Sequence, residues 1–139
     1  MQIRFLLLFL IVTGCKKSPK EEPLEIWDSV TVIASAYNST VDQTSSRPHL
    51  TAFGDSLKPG MRYIAVSPDL LRKGFKHNTP VMIEGFDDVY LVKDKMHRKW
   101  RNHIDIYMGD DIEAAREWGR RQVCIDYKLS KETIKKASK

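Results

Sequence analysis

Val89-Tyr90-Leu91-Val92-Lys93-Asp94 and, eleven residues after that aspartate, His103-Ile104-Asp105-Ile106-Tyr107-Met108 decide how this 139-residue chain is read. Both segments have strand length and are rich in β-branched and aromatic residues. The second alternates polar and apolar, the period of a half-buried strand. In such a strand Asp105 stands on one face and Ile104 and Ile106 on the other. Just upstream, Pro80 to Glu84 pairs with Val89 to Lys93 around Gly85-Phe86-Asp87-Asp88, a hairpin pattern. Tyr63 to Ser67 reads as a strand entering Pro68, and Asp69 to Lys73 as one helical turn closed by Gly74. Further upstream, Val30 to Tyr37 is an alternating β-branched strand, residues 38 to 50 are a polar loop, and Leu50 to Gly54 is a short strand or turn. Leu57 to Gly60 is a turn by its Pro-Gly pair. Downstream, acids at 110, 111 and 113 mark the start of an alanine-bearing helix over 112–118, ended by Gly119-Arg120-Arg121. Gln122 to Tyr127 is the last strand, and residues 128–139 form a frayed helix or a disordered tail. Strands about ten residues apart with one late helix predict a mainly all-β fold. The expected form is a small closed barrel of six or so strands.

The N-terminus carries an address. One arginine, Arg4, precedes an apolar run from Phe5 to Val12, followed by Thr13-Gly14-Cys15. A run of about eight residues is too short to span a bilayer, which takes about twenty, so residues 1–14 read as a signal peptide. Val12-Thr13-Gly14-Cys15 resembles the bacterial lipobox, which implies cleavage before Cys15 and lipidation of that cysteine. Residues 15–30 would then be a flexible tether, and the mature domain a lipoprotein held on a membrane surface. The expected location is the cell envelope, at the periplasmic side of the outer membrane.

Charge narrows the partners. The chain carries a net +5, but residues 128–139 supply +4 and residues 31–127 only +1. A nucleic-acid partner would call for the excess on the folded face, so none is expected. With Cys15 consumed by lipid, Cys124 stands alone and is expected to pack as a small apolar residue. No zinc-ligand spacing is present, so neither a metal nor a cofactor is expected.

The order of the blocks Ala36-Tyr37, Thr51-Ala52-Phe53-Gly54, Ile64-Ala65-Val66-Ser67-Pro68, Val81 to Gly85, Tyr90 to Asp94, Ile104 to Met108 and Ala115 to Gly119 resembles the three-aspartate (3D) domain. That domain is a double-psi β-barrel related to the catalytic barrel of membrane-bound lytic transglycosylase A. The resemblance covers residues 31–127 and implies a six-stranded double-psi barrel with one or two short helices. It departs at two places. Ser67 stands where the family has its first aspartate, with Asp69 two residues on. Lys95 to Asn102, bulky and basic, fills the place of a glycine pair.

For function, the resemblance implies cleavage of peptidoglycan glycan strands. Asp105 would act as acid and then as base for the sugar's own 6-hydroxyl, with Asp94 beside it raising its pKa by like charge or stabilising positive charge on the ring. Each residue has a second reading. Asp105 and Asp94 also fit structural acceptors of loop amides. Thr51 fits substrate binding or barrel closure. Lys95, in the basic loop 93–101, fits a contact to stem-peptide carboxylates or a solvated surface. Trp100 fits sugar stacking or loop anchoring. His97 and His103, which flank the site in sequence, fit groups that titrate near neutral pH or solvated loop positions, and Trp118 a core position. Three classes of function stay open: a glycan-cleaving enzyme, a non-catalytic peptidoglycan-binding module, and an envelope scaffold. The enzyme needs Asp94 and Asp105 accessible in one groove, whereas a buried, fully hydrogen-bonded pair favours the other two.

Overall fold

The computed structural model describes residues 25–39 and 50–137. The expected signal peptide, Cys15 and most of the tether lie outside the described residues. Six strands form: β1 (Trp27–Tyr37), β2 (Tyr63–Val66), β3 (Pro80–Ile83), β4 (Val89–Lys95), β5 (His103–Tyr107) and β6 (Arg121–Lys128). They close into a barrel in the order β1-β5-β2-β4-β3-β6. Closure leaves no sheet edge unpaired, which suits a domain built of short strands.

The pairing identifies the topology. β1 runs parallel to β5 and β2 parallel to β4, while the other four pairs are antiparallel. In each half, two strands consecutive in sequence are held apart by a strand of the other half: β5 lies between β1 and β2, and β2 lies between β4 and β5. Exchanging β1 with β4, β2 with β5 and β3 with β6 maps the order and its parallel pairs onto themselves. Two such interlocked units make the double-psi barrel expected from the sequence.

The interior follows the period-2 pattern. Val32, Ala34, Ile64, Val66, Val81, Ile83, Val92, Ile104, Ile106 and Ile125 point inward and are buried. Three short helices pack around the barrel, one more than the expected maximum of two. α1 (Pro68–Lys73) starts with Pro68 in its first turn and ends at Gly74, whose φ of 118° only glycine adopts readily. α2 (Ile112–Trp118) is capped by Asp111, whose side chain accepts the Ala114 amide at 2.9 Å. α3 (Lys131–Ala137) occupies the expected basic tail. Behind α1, Phe75 is fully buried and stacks on Tyr127 with ring centroids 4.0 Å apart. Phe75→Ala is expected to cost about 3–5 kcal/mol of unfolding free energy, measured by urea denaturation.

Three local expectations change. β1 begins at Trp27, inside the stretch read as tether, because residues 27–30 pair with Ile125 to Lys128 of β6. Cys124 is exposed: Val123 and Ile125 take the inward positions, so alternation turns the thiol outward. Trp118 packs at the core's margin and not within it, its ring 4.9 Å from Phe86, and α2 buries no residue fully. All six strands and the core cluster lie within residues 27–128. A chain of residues 24–139 therefore retains the complete barrel.

Candidate active site

Four residues form one row across four neighbouring strands. Ser35 of β1 pairs with Asp105 of β5, Asp105 with Ala65 of β2, and Ala65 with Asp94 of β4. Asp105 reaches the outer face by simple alternation between the buried Ile104 and Ile106. Asp94 needs more. Val92 points inward, so an unbroken strand would turn residue 94 inward as well. The register shifts here, Ile64 facing Val92 and Ala65 facing Asp94, which makes Lys93 the extra residue of a β-bulge. The bulge re-aims Asp94 to the face that carries Asp105.

Both carboxyls line one groove of about 190 Å³. The methyl of Ala65 lies between them, Tyr37 stands at the β1 side, and Lys95, Met96, His97 and Trp100 form the wall. Two expected ligand-contacting residues, Lys95 and Trp100, are thus brought to the aspartates. Their rings and charges have protein neighbours too: Lys95 Nζ lies 5.1 Å from the Phe53 ring, and the Trp100 ring lies 4.6 Å from that of His103. Thr51 is not brought there. It is buried, its Oγ1 accepts the Asp55 amide at 3.0 Å, and it closes the turn 51–55. That turn docks on β4 through Asp55, which accepts from Lys93 Nζ at 2.8 Å and lies 2.6 Å from His77 Nε2.

The aspartates differ in their surroundings. Asp94 Oδ1 accepts the Ala52 amide at 2.7 Å and the Lys95 amide at 2.8 Å. Burial raises its pKa, and those two amides work against the rise. Asp105 Oδ1 accepts the Ser35 hydroxyl at 3.0 Å, the one hydrogen bond to its carboxyl among the described residues. Burial is the chief reason its pKa is pushed up to about 6, with the Asp94 charge adding to it and the Ser35 hydrogen bond opposing it. Burial also raises the Tyr37 phenol, with both aspartates reinforcing it.

A consequence for stability follows from the sign. The fold holds the neutral Asp105 carboxyl more readily than the unfolded chain does. Its support for folding is complete below the ordinary aspartate range and is lost as pH rises through about 6. Asp105→Asn is therefore expected to be more stable than wild type at pH 8, by up to about 3 kcal/mol. The difference should close by pH 4, read from urea unfolding at the two pH values.

Ser67 and Asp69, at and near the place where the resembled domain has its first aspartate, do not line the groove. Ser67 is buried; its amide donates to the His103 carbonyl at 2.9 Å and its Oγ accepts the His103 amide at 3.1 Å. Asp69 Oδ2 accepts the Asn102 amide at 2.9 Å, holding a residue at φ 46°. Both clamp the entry to β5. A larger hollow of about 370 Å³ lies beside α2, but its acids are engaged, Asp88 with Arg62 and Asp111 as helix cap. Among the described residues no three His, Cys, Asp or Glu side chains cluster to hold a metal ion.

Two residues at the site were not singled out as such in the sequence: Tyr37, which lines the groove, and Ser35, which hydrogen-bonds Asp105 from behind it. His103 was named only as a histidine flanking the site. His103 is 1% exposed, in contrast to a solvated loop histidine, and its Nε2 lies 2.8 Å from Ser35 Oγ. Only the parallel pairing of β1 with β5 brings residue 35 to residues 103 and 105, and local periodicity contains no sign of that.

No family model and no curated protein matches the chain. Among solved structures it is similar to the crystal structure of apo expansin from Clavibacter michiganensis, at 18% identity and a TM-score of 0.44. The match covers 75% of this chain and 52% of that one, so this chain spans about half the length of the expansin.

Proposed function

We propose that the groove is a glycan-cleaving site of the lytic transglycosylase type, with Asp105 as its acid and base. We further propose that the domain acts on peptidoglycan in the cell envelope, anchored through a lipidated Cys15 at the outer membrane. The observation that carries the reading is Asp105 itself. It is a half-buried carboxyl whose Oδ1 is fixed by Ser35, whose pKa is pushed to about 6, and which lines an open groove. A carboxyl of that acidity is populated in both forms near neutral pH, as a group must be that first gives a proton and then takes one.

The step balances without water. The Asp105 proton passes to the glycosidic oxygen as the bond to C1 breaks, releasing a hydroxyl on the leaving strand. The resulting carboxylate then takes the proton of the 6-hydroxyl as that oxygen bonds to C1, giving a 1,6-anhydro end and a protonated Asp105. Asp94, two strands away, supplies negative charge towards the cationic ring and holds the Asp105 pKa up. The exposed Lys95, at the rim, suits the carboxylates of stem peptides.

One observation favours a binding module instead. Asp94 has a structural task, since its Oδ1 holds two loop amides. The test is release of soluble muropeptides from purified peptidoglycan by residues 24–139. Products ending in 1,6-anhydromuramic acid support the transglycosylase, and reducing-end products change the reaction to hydrolysis. Pelleting with the wall without any release would establish the binding module.

A further inference from the structure

We propose that His103 and Ser35 are positioning residues for Asp105, a hydrogen-bond chain of fixed direction that pins Oδ1 and leaves Oδ2 as the oxygen that exchanges protons with the glycan. This rests on the reading of Asp105 as the acid.

The direction follows from counting protons. Ser35 Oγ lies 3.0 Å from Asp105 Oδ1 and 2.8 Å from His103 Nε2. A serine hydroxyl has one proton. When Asp105 is ionised, Oδ1 only accepts, so that proton points to Asp105 and the bond to His103 must come from Nε2–H. The other ring nitrogen, Nδ1, is buried without a partner. An imidazolium would bury an unpaired N–H there, and burial together with the nearby Arg120 charge lowers the His103 pKa. His103 is thus neutral, protonated on Nε2, and a donor to Ser35.

The chain is held at its far end. The Ser67 backbone and hydroxyl clamp the His103 backbone, and the Trp100 ring covers the imidazole at 4.6 Å. Ser67 and Trp100 thereby acquire a purpose: they fix the histidine that orients the serine that orients the acid. The remaining titratable groups around Asp105 are Tyr37 on β1, Asp94 and Lys95 on β4, and His97 in the β4–β5 connection. None of these is hydrogen-bonded to Asp105 among the described residues, so Ser35 alone fixes the rotation of the carboxyl.

The test follows the Asp105 carboxyl and the His103 ring by NMR titration of residues 24–139, without substrate. Ser35→Ala is expected to raise the Asp105 midpoint by about one unit, because a hydrogen bond to the charged form is lost. Ser35→Thr, which keeps the hydroxyl, should stay near wild type. His103→Phe should produce a smaller rise, and no further rise in the Ser35→Ala background. In wild type the His103 proton should be seen on Nε2 at pH 7. An unchanged or lowered midpoint in Ser35→Ala, additive effects of the two substitutions, or an Nδ1–H ring would overturn the chain. A wild-type midpoint in the ordinary aspartate range, with the Ser35 effect intact, would leave the chain standing and remove the catalytic reading.

Discussion

Asp105→Asn is expected to lose release of soluble muropeptides by about 10²–10⁴-fold at pH 6, the usual contribution of a positioned acid–base group. The amide keeps an oxygen to accept from Ser35 and keeps the size of the side chain, so the row Ser35-Asp105-Ala65-Asp94 stays in place. What it lacks is a proton that leaves and returns. The loss should come with unchanged or increased resistance to urea at pH 8, since the substitution removes a carboxylate that the half-buried site disfavours. Wild-type cleavage should fall as pH rises above about 6, where the acid form is depleted. An Asn variant that cleaves at the wild-type rate, checked by chromatography of the released products, would remove Asp105 from the reaction.

The second large effect belongs to the gap between the carboxyls. Ala65 is paired with both Asp105 and Asp94, and its methyl leaves the groove open. Ala65→Leu adds three carbons on the outer face and leaves the barrel interior, filled by Ile64 and Val66, untouched. A leucine there occupies the space a sugar ring would enter. Displacements of about 1 Å at a reacting centre cost on the order of 10²-fold, so cleavage should fall by at least about that factor. Peptidoglycan pelleting should weaken in parallel, and circular dichroism should remain that of wild type. Loss of cleavage with binding intact would place the glycan elsewhere on the barrel.

Much of the fold was legible in the chain. The alternating runs at 30–37 and 103–107 and the hairpin arms at 80–84 and 89–93 all became strands, and Gly74 closed its helical turn, because these depend on local sterics, turn residues and alternation. The aspartate pair was legible through spacing and resemblance. The bulge at Lys93 was not, since alternation alone would have sent Asp94 into the barrel. Thr51 was misplaced for a similar reason: its hydroxyl closes its own turn, and it is the next amide, on Ala52, that reaches Asp94. Ser35, and its contact with a buried His103, were missed because residues 68 positions apart meet only through a parallel pairing that closes the barrel.

The most direct measurement is a carbon-13 NMR titration of the Asp105 carboxyl in residues 24–139. The acid–base role predicts a midpoint of about 6, well above that of an ordinary aspartate. A midpoint near 3.8, the unperturbed value, would contradict it. Asp105 would then be fully ionised at neutral pH, with no proton to give to a glycosidic oxygen.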